Sequence, residues 1–517
     1  MEEENYIQTK ERLWSDVILS RVIQQIKEYK YVISSCFLFG FLAYMFVFTN
    51  KLVNWDELNF IFSKGATIES GRWGLELLAY MIPNYSMPWI FGCMTLFCIT
   101  VSVCLIVRTF QIESPSLQIV LSGAIIVFPS LIGTFAYMFT SSSYGVAFLL
   151  AIVAFTLLAR SGWRNYLWAG VCIVFSCSIY QSYVMVLSSL LLVLMIQRIM
   201  YSDISIRQIV LQGISFLLCI GVAMGVYYIL TRAINHVTQI PMGGYAEHAL
   251  DSKDTIAERI QSTYRSLFGV LFQNEKGLIP RGISQYAHLL LLVFSVLECI
   301  IWMCMSKDWK KCILLALVVM LLPVSIFGMY LITATGAVHL LVLYSFIAIY
   351  VWAVVLLDGR NWGGYLSLKW NRCRKFMCNA VILGVLVIIG CNISLANEAY
   401  LKLHLTHQNM ISFSTALIAQ LNAIPGYTHE TPVAFVGEYD TPDFYDEFGN
   451  LDNMIGFPTL TPNWRTMYRY CGYDMNLLPE EEAERMKDTA QVKEMPTYPD
   501  HGCIQMVNNT VVVKFSE

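Results

Sequence analysis

Residues 31–49 read YVISSCFLFGFLAYMFVFT, an apolar run without a single charged side chain. A helix of this length is long enough to span the hydrocarbon core of a bilayer. The whole chain of 517 residues is 56% hydrophobic and only 14% charged, whereas soluble domains carry about 25% charged residues. These features indicate a polytopic membrane protein that is mainly α-helical.

The chain contains eleven apolar runs of this kind, each long enough to be a transmembrane helix. Residues 1–30, which precede the first run, are too long and too acidic for a cleaved signal peptide and predict a cytoplasmic amphipathic segment. The eleven predicted spans lie near 31–49, 87–107, 117–136, 143–159, 166–180, 181–198, 208–230, 284–305, 311–331, 334–357 and 376–395.

Lysine and arginine are dense in the N-terminal segment and in alternate short loops, which predicts a cytoplasmic N-terminus. The transmembrane domain would then comprise residues 31–396, with long outer loops at 50–86 and 231–283. Within the second loop, Asp251–Phe272 predicts an amphipathic helix lying along the membrane surface. Residues 397–517 would follow as an extracytoplasmic domain.

The C-terminal segment predicts a small α/β domain. A helical pattern continues to about Leu421, and Pro432–Gly437 predicts a strand. Cys503–Met506 and Thr510–Phe515 predict a terminal hairpin.

Two of the 15 cysteines, Cys471 and Cys503, lie in this outer segment. An extracytoplasmic compartment permits a disulfide between them, and two separate thiols are the alternative.

Two adjacent carboxylates, Asp56 and Glu57, follow the first span. Partial burial raises the pKa of a carboxylate and makes it a better general base, as attack by a sugar hydroxyl requires. Neighbouring side chains point in different directions, so we expect only one of the two to act on the reacting hydroxyl. The alternative is that both are solvated loop groups or helix caps.

The stretch Ser70-Gly71-Arg72-Trp73 follows in the same loop. Arg72 has the planar fork that suits a phosphate, and it could instead orient Asp56, while Trp73 could stack on a sugar ring. The alternative is an interfacial tryptophan beside a snorkelling arginine.

Tyr180 and Gln181 lie at the predicted outer junction of two spans and are candidates for a sugar site. Interfacial aromatics with a helix-start glutamine are the alternative. Thr140–Tyr144 predicts a short outer turn, with hydroxyls that either line the same site or cap the next helix.

A lipid-phosphate donor needs cations near its phosphate. Arg265 and Arg281 flank the predicted return of the second outer loop to the membrane and are the candidates there, with solvated surface cations as the alternative. His339 lies near the outer end of its span and is a further candidate for binding the sugar or the acceptor.

The sequence lacks CxxC pairs, zinc-type His/Cys spacings, P-loops and GxGxxG motifs. We therefore expect no soluble nucleotide at a site of these types and no required metal, with a divalent cation at Asp56 and Glu57 as the remaining option. The net charge of −3 gives no indication of a nucleic-acid partner, and we expect none.

Taken in order, these motifs resemble the GtrII-type membrane glucosyltransferases, which modify bacterial surface polysaccharides within the GT-C superfamily. The similarity covers nearly the whole chain. It rests on Asp56-Glu57, Ser70–Trp73, Tyr180–Ser182, Asn397–Tyr400, the run Met495–Gly502 and the last predicted strand, Val511–Lys514.

The resemblance implies a GT-C-type fold and an inverting transfer of a hexose, typically glucose, from a polyprenyl-phosphate carrier. The acceptor would be a hydroxyl of a lipid-linked glycan such as O-antigen, at the outer face of the bacterial cytoplasmic membrane. Asp56 corresponds to the active-site acid, with Glu57 beside it. A donor synthase and a flippase would be partner proteins, besides the membrane lipids.

Two other classes of protein remain as alternatives. One is a transporter or flippase for lipid-linked sugars, although such proteins usually show internal repeats, and this sequence shows none. The other is a polysaccharide polymerase or ligase, which we expect to rely on a large outer loop between late spans rather than on an acidic first loop.

Overall fold

The computed structural model describes residues 14–60, 67–82, 85–243, 254–273, 278–280, 282–333, 339–358, 368–439, 451, 455, 462 and 464–516. The helices are α1 (Trp14–Glu28), α2 (Lys30–Thr49), α3 (Trp55–Asn59), α4 (Trp73–Ala79), α5 (Pro88–Phe110), α6 (Pro115–Ile126), α7 (Pro129–Ala136), α8 (Met138–Arg160), α9 (Trp163–Ile179), α10 (Tyr183–Tyr201), α11 (Ile206–Thr238), α12 (Ile256–Gln273), α13 (Ile283–Met305), α14 (Trp309–Ile326), α15 (Met329–Ile332), a 3-10 helix (Leu340–Phe346), α16 (Ile347–Asp358), α17 (Leu368–Asn422), α18 (Arg465–Tyr470), α19 (Glu480–Met486) and α20 (Ala490–Glu494). The strands are β1 (Val433–Val436), β2 (Ile504–Val507) and β3 (Thr510–Lys514).

Within the described part of the chain, nine helices are long and apolar enough to cross a membrane, and the bent pair α6 and α7 makes ten if it counts as one span. Each of the eleven predicted spans coincides with one of these helices or with α9, a helix of 17 residues. The membrane-protein class is therefore confirmed. The count of eleven crossings stays a prediction, because α9 is shorter than the others.

Basic side chains join helix termini at one end of the bundle, which we call the basic end. Arg198 of α10 donates to the carbonyl oxygen of Ala159, near the end of α8, over 2.6 Å. Arg374 of α17 forms an ion pair with Glu298 of α13, with Nε and Oε1 separated by 3.1 Å. These contacts tie together helices that are far apart in the chain.

The opposite end of the bundle carries the first loop. Residues 67–82 of this loop lie against the start of α8, the turn between α9 and α10, and the last turns of α11. We call this the first-loop end. Because α8, α9, α10 and α11 alternate between the two ends, the helices have the antiparallel order that a series of membrane crossings requires.

The span near 117–136 is broken between α6 and α7, which are bent by 45°. Pro129 has no N–H to offer the carbonyl of Ile125, four residues earlier. The Tyr344 hydroxyl donates to this carbonyl over 3.1 Å. The Tyr44 hydroxyl donates to the next carbonyl, that of Ile126, over 2.9 Å. Tyrosines from other helices thus replace the hydrogen bonds that the break removes.

The last long helix, α17, continues without a break through residue 396, where the sequence analysis placed a domain boundary. It ends at Asn422, close to the predicted Leu421. Its C-terminal half packs against the terminal domain through a buried core that includes Phe413, Leu417 and Phe435. One helix therefore connects the bundle to the terminal domain.

The predicted strands near the C-terminus are confirmed. They form a three-stranded sheet with the order β1-β3-β2. β1 runs parallel to β3, with Val433 opposite Val511, and β2 runs antiparallel to β3. Asn508 and Asn509, which join β2 to β3, have φ angles of 51° and 61°, as a two-residue hairpin turn of type I′ requires.

Two helices present apolar faces outside the bundle core. α1 exposes Ile18, Val22 and Ile26 along one face, as predicted for an amphipathic segment. α12 forms the helix predicted within Asp251–Phe272, and its Tyr264 hydroxyl donates to the carbonyl of Met320 over 2.6 Å. Both helices have the apolar face expected of a segment at a membrane surface.

Candidate active site

The carboxylates of the first loop lie in the first turn of the short helix α3. Asn54 is its N-cap, and its side-chain oxygen accepts a hydrogen bond of 2.8 Å from the amide of Glu57. Asparagine is among the preferred N-cap residues. Successive side chains on a helix are rotated by about 100°, so Asp56 and Glu57 have different surroundings.

Glu57 faces the terminal domain. Its side chain is 1% exposed and forms an ion pair with Lys51. Tyr470 of α18 lies close by, and its ring contacts His407 of α17 with 5.1 Å between centroids. Burial raises the pKa of Glu57, and Lys51 opposes that rise. Because it is enclosed in this way, Glu57 has the environment of a structural group.

Asp56 is half-buried and lies near Arg72. Burial raises the pKa of Asp56, and the positive charge of Arg72 opposes this rise. A carboxylate with a raised pKa is a stronger base than a fully solvated one. The structure therefore places a general-base candidate next to a cation.

Arg72 is held by two tyrosines. Its Nη1 donates to the Tyr144 hydroxyl over 3.1 Å, and its guanidinium carbon lies 5.3 Å from the centre of the Tyr180 ring. The rings of Tyr144 and Tyr180 stack with 4.4 Å between centroids. A cation over an aromatic face is attracted by the ring quadrupole. The two rings thus fix the position of the guanidinium.

The backbone that presents Arg72 turns sharply at Gly71, where φ is +70°. The Arg72 amide donates to the carbonyl of Thr67 over 2.8 Å. The carbonyl of Ser70 accepts a bond of 2.8 Å from Gln181 Nε2, and that of Gly71 accepts one of 3.1 Å from the Tyr227 hydroxyl. Distant helices therefore hold this turn through its backbone.

Trp73 begins α4 and anchors it to the bundle. Its indole N–H donates to Thr231 Oγ1 over 3.2 Å, and its ring meets Phe175 edge-on with 5.9 Å between centroids. Gln181 also donates to the Tyr227 hydroxyl over 3.0 Å. In this structure, Trp73 and Gln181 position the loop. Their roles in binding a sugar stay predictions.

Tyr144 and Tyr227 contact the loop, a role that the sequence does not indicate for either residue. Thr140–Tyr144 was predicted to be an outer turn, but these residues form the first turns of α8, and Ser141 and Ser142 are fully buried. The prediction failed because a run of hydroxyl side chains is typical of turns, whereas here Ser141 bonds back to the carbonyl of Met138. The sequence gives only a weak indication of the role of Tyr227, namely a tyrosine near the end of an apolar span.

The remaining candidates lie apart from these contacts or cannot be placed. Arg265 is exposed on α12, which packs against α14 and α15. His339 is exposed immediately before the 3-10 helix. Arg281 lies outside the described residues. The roles of these three residues stay predictions.

The disulfide considered between Cys471 and Cys503 is not present, because both residues are free thiols in the structure. Cys471 lies beside Ser414 of α17, whereas Cys503 lies at the start of β2 beside Asp500. The sequence placed both in the same domain but gave no information on their separation.

Within the described ranges, no three His, Cys, Asp or Glu side chains cluster in a way that could hold a metal ion. The divalent cation considered at Asp56 and Glu57 would need both carboxylates. Glu57 is engaged by Lys51, and Asp56 has the cation Arg72 beside it. These two carboxylates therefore fit a shared ion poorly.

A family model described as glucosyl transferase GtrII matches residues 45–352. The match includes the first loop with Asp56 and Arg72, the turn that carries Gln181, and the helices that carry Tyr144 and Tyr227. No curated protein and no solved structure matches the chain. Since the family model covers more than half of the 517 residues, the chain belongs to the GtrII glucosyl transferase family.

Proposed function

We propose that this membrane glucosyltransferase moves a hexose, with glucose as the expected sugar, from a polyprenyl-phosphate donor to a hydroxyl of a lipid-linked surface glycan. The observation that carries this proposal is the half-buried Asp56 carboxylate under the electrostatic influence of Arg72, at one end of an apolar bundle. A lipid-borne phosphate lies at the depth where a helix bundle meets water, and there a base and a cation can meet both substrates.

Asp56 acts as the general base. It takes the proton of the acceptor hydroxyl while that oxygen attacks the anomeric carbon of the donor sugar. The bond between this carbon and the phosphate oxygen breaks on the opposite side, and the polyprenyl phosphate leaves with the electron pair. A single displacement of this kind inverts the configuration at the anomeric carbon. Glu57 supports α3 and takes no proton.

Arg72 neutralises the charge that develops on the leaving phosphate. A preorganised cation is effective there because its position is fixed before the reaction starts. The hydrogen bond from Arg72 to Tyr144 and the contact with Tyr180 supply this preorganisation. With a guanidinium in this role the transfer needs no divalent metal, and Arg265 and Arg281 remain candidates for additional phosphate contacts.

The distribution of lysine and arginine supports the proposed orientation. The basic end faces the cytoplasm, and the first-loop end faces outward with the terminal domain. The fold is of the GT-C type with eleven crossings, in a bacterial cytoplasmic membrane. A synthase that makes the lipid-linked donor and a flippase that brings it to the outer leaflet are the expected partner proteins.

The test compares Asp56→Asn with wild type in reconstituted membranes that contain synthetic polyprenyl-phosphate glucose and the native membrane glycan. Asparagine keeps the size of the side chain and loses its basicity. We expect at least a 100-fold loss of transfer, in line with the 10²–10⁴-fold contribution of general bases. Protein levels and insertion are matched by quantifying the detergent-solubilised monomer peak.

The matched control is Glu57→Gln, the same change at the adjacent carboxylate. We expect it to retain transfer per folded molecule, because Gln can still accept a hydrogen bond from Lys51. Loss of transfer in Glu57→Gln with retention in Asp56→Asn would assign the base to Glu57 and overturn the proposed roles. Movement of the lipid-linked sugar across the membrane without transfer would indicate a flippase instead.

A further inference from the structure

The terminal domain has a cavity of about 490 Å³ in its outer surface. This volume falls within the range of about 300–1,000 Å³ that small-molecule sites occupy. The site described above uses none of the residues of this cavity. Its lining residues are His429, Glu430, Arg465, Asp474 and Asn476.

The lining consists of polar groups that hold one another in place. Arg465 Nε and Asp474 Oδ1 are 2.9 Å apart, and Asn476 Nδ2 donates to the carbonyl of Glu430 over 2.9 Å. The cavity thus presents a carboxylate, an amide and a guanidinium, which between them donate and accept hydrogen bonds. Because its cation is paired with a carboxylate, the site favours a neutral, hydroxyl-rich ligand over a free anion.

An aromatic pair lies at the edge of the cavity. The rings of His429 and Tyr473 are 4.9 Å apart between centroids. The Tyr473 hydroxyl donates to Asn422 Oδ1, 3.1 Å away, and lies 3.1 Å from the Tyr427 hydroxyl, which fixes its ring. The C–H face of a sugar ring is weakly positive and packs favourably against the negative face of an aromatic ring.

The cavity adjoins the helix that carries Asp56. The ring of Trp464 contacts that of Trp55 with 3.6 Å between centroids. Trp55 precedes Asp56, and Trp464 precedes Arg465 of the cavity wall, with Cα atoms of consecutive residues about 3.8 Å apart. The contact between these two rings thus joins α3, which carries Asp56, to the segment that begins the cavity wall.

We propose that this cavity is a carbohydrate-binding subsite that holds the acceptor glycan beyond its reacting sugar. The inference rests on the proposed transfer at Asp56. A polymer acceptor needs contacts outside the membrane to be held in register, and a single reacting hydroxyl supplies too little binding energy. The subsite gives the enzyme its preference for a glycan chain over a short acceptor.

The first test measures transfer kinetics of the full-length protein in lipid nanodiscs with Asp474→Ala. We expect the KM for the glycan acceptor to rise about tenfold, which corresponds to the loss of one charge-assisted hydrogen bond. The kcat and the KM for the donor should stay unchanged. The matched control is Asp488→Ala, which removes another exposed ion pair of the same domain, with Lys493 at 3.5 Å.

An unchanged acceptor KM in Asp474→Ala, or a loss confined to kcat, would overturn the subsite. A second measurement does not depend on transfer. It follows by calorimetry the binding of a soluble oligosaccharide that mild acid releases from the cell's own envelope glycan. The subsite is supported if wild type and Asp56→Asn bind the oligosaccharide and Asp474→Ala does not. This result supports the subsite even if wild type transfers no sugar. No binding to wild type would overturn it.

Discussion

Asp56 and Glu57 are neighbours in the chain but have different surroundings in the fold. Glu57 is enclosed with Lys51 between the first loop and the terminal domain, whereas Asp56 lies beside Arg72. The rotation between consecutive helical residues gives two chemically similar groups an enclosed position and the position that we propose to be catalytic.

The pH dependence of transfer should report the environment of Asp56. Its pKa is raised by burial, so it takes up a proton at a higher pH than an ordinary aspartic acid, whose pKa is about 3.9. Transfer therefore declines as the pH falls through this raised pKa. In Arg72→Gln the opposing positive charge is gone, so the acid limb should move to still higher pH. Initial rates at saturating donor and acceptor, measured across pH, give the acid limb of wild type and of Arg72→Gln.

The control is Arg207→Gln, which changes an exposed residue at the basic end. Its pH dependence of transfer should match that of wild type. An identical acid limb in Arg72→Gln and wild type would show that the group titrating in the activity is not influenced by Arg72. That result would contradict the electrostatic influence of Arg72 on Asp56 during transfer.

Sequence reasoning singled out the acid, the arginine, the glutamine and Tyr180 of the candidate site, but not the contacts of Tyr144 and Tyr227 with the first loop. Polar residues in an apolar chain are conspicuous, because burying them is costly unless they are used. Tyr144 and Tyr227 are far less conspicuous, since tyrosine is common at membrane interfaces. Their contacts with the loop depend on the packing of α8 and α11, which no local pattern encodes.

At the scale of elements, the turn before α4 determines where Arg72 lies. Gly71 has a φ of +70°, and a Cβ there would lie 2.9 Å from the Tyr227 hydroxyl. Gly71→Ala should therefore displace either the turn or Tyr227. A backbone strain of this kind costs about 1–3 kcal/mol, so we expect transfer to fall about 5- to 150-fold, the rate equivalent of that energy. Transfer assays on purified protein measure the loss.

Gly162→Ala is the matched control, because Gly162 has a φ of +100° but lies at the start of α9, at the basic end. It should lower the thermal unfolding temperature without reducing transfer per folded molecule. Equal losses of transfer in both variants would show that strain in general, and not the placement of Arg72, lowers the activity.

The break between α6 and α7 depends on hydroxyls from other helices. Tyr344→Phe removes the donor to the carbonyl of Ile125, which Pro129 leaves without its usual helical partner. We expect the free energy of unfolding to fall by about 1 kcal/mol, the typical value of an interhelical hydrogen bond within a membrane. Thermal unfolding in detergent measures the change.

The control for this variant is Tyr286→Phe, the same change at a side chain that is 70% exposed. An unfolding temperature lowered equally by both substitutions would contradict the role of the Tyr344 hydroxyl. The sequence predicted one span at 117–136 from its apolar run, and a membrane helix accommodates Pro129 when other groups satisfy the freed carbonyl. The hydroxyls that do so come from residues 44 and 344, which sequence alone does not bring together.

At the scale of the whole molecule, the terminal domain is packed onto the first loop as well as attached through α17. Val53 and Leu58, on either side of the two carboxylates, belong to the same buried core as Phe435 of β1. The sequence predicted the strands of this domain correctly from short apolar runs and flanking turns. It could not predict the docking, because the contacts join residues separated by most of the chain.

The membrane topology is the remaining prediction at this scale. With eleven crossings and a cytoplasmic N-terminus, the terminal domain and the loop between α5 and α6 lie on opposite sides. In intact cells, a membrane-impermeant maleimide should label Asp488→Cys, whereas Ser116→Cys should be labelled only after permeabilisation. Both positions are exposed, and the cysteine-containing wild type gives the background. Labelling of both variants in intact cells would overturn this topology, because the loop between α5 and α6 would then lie on the same side as the terminal domain.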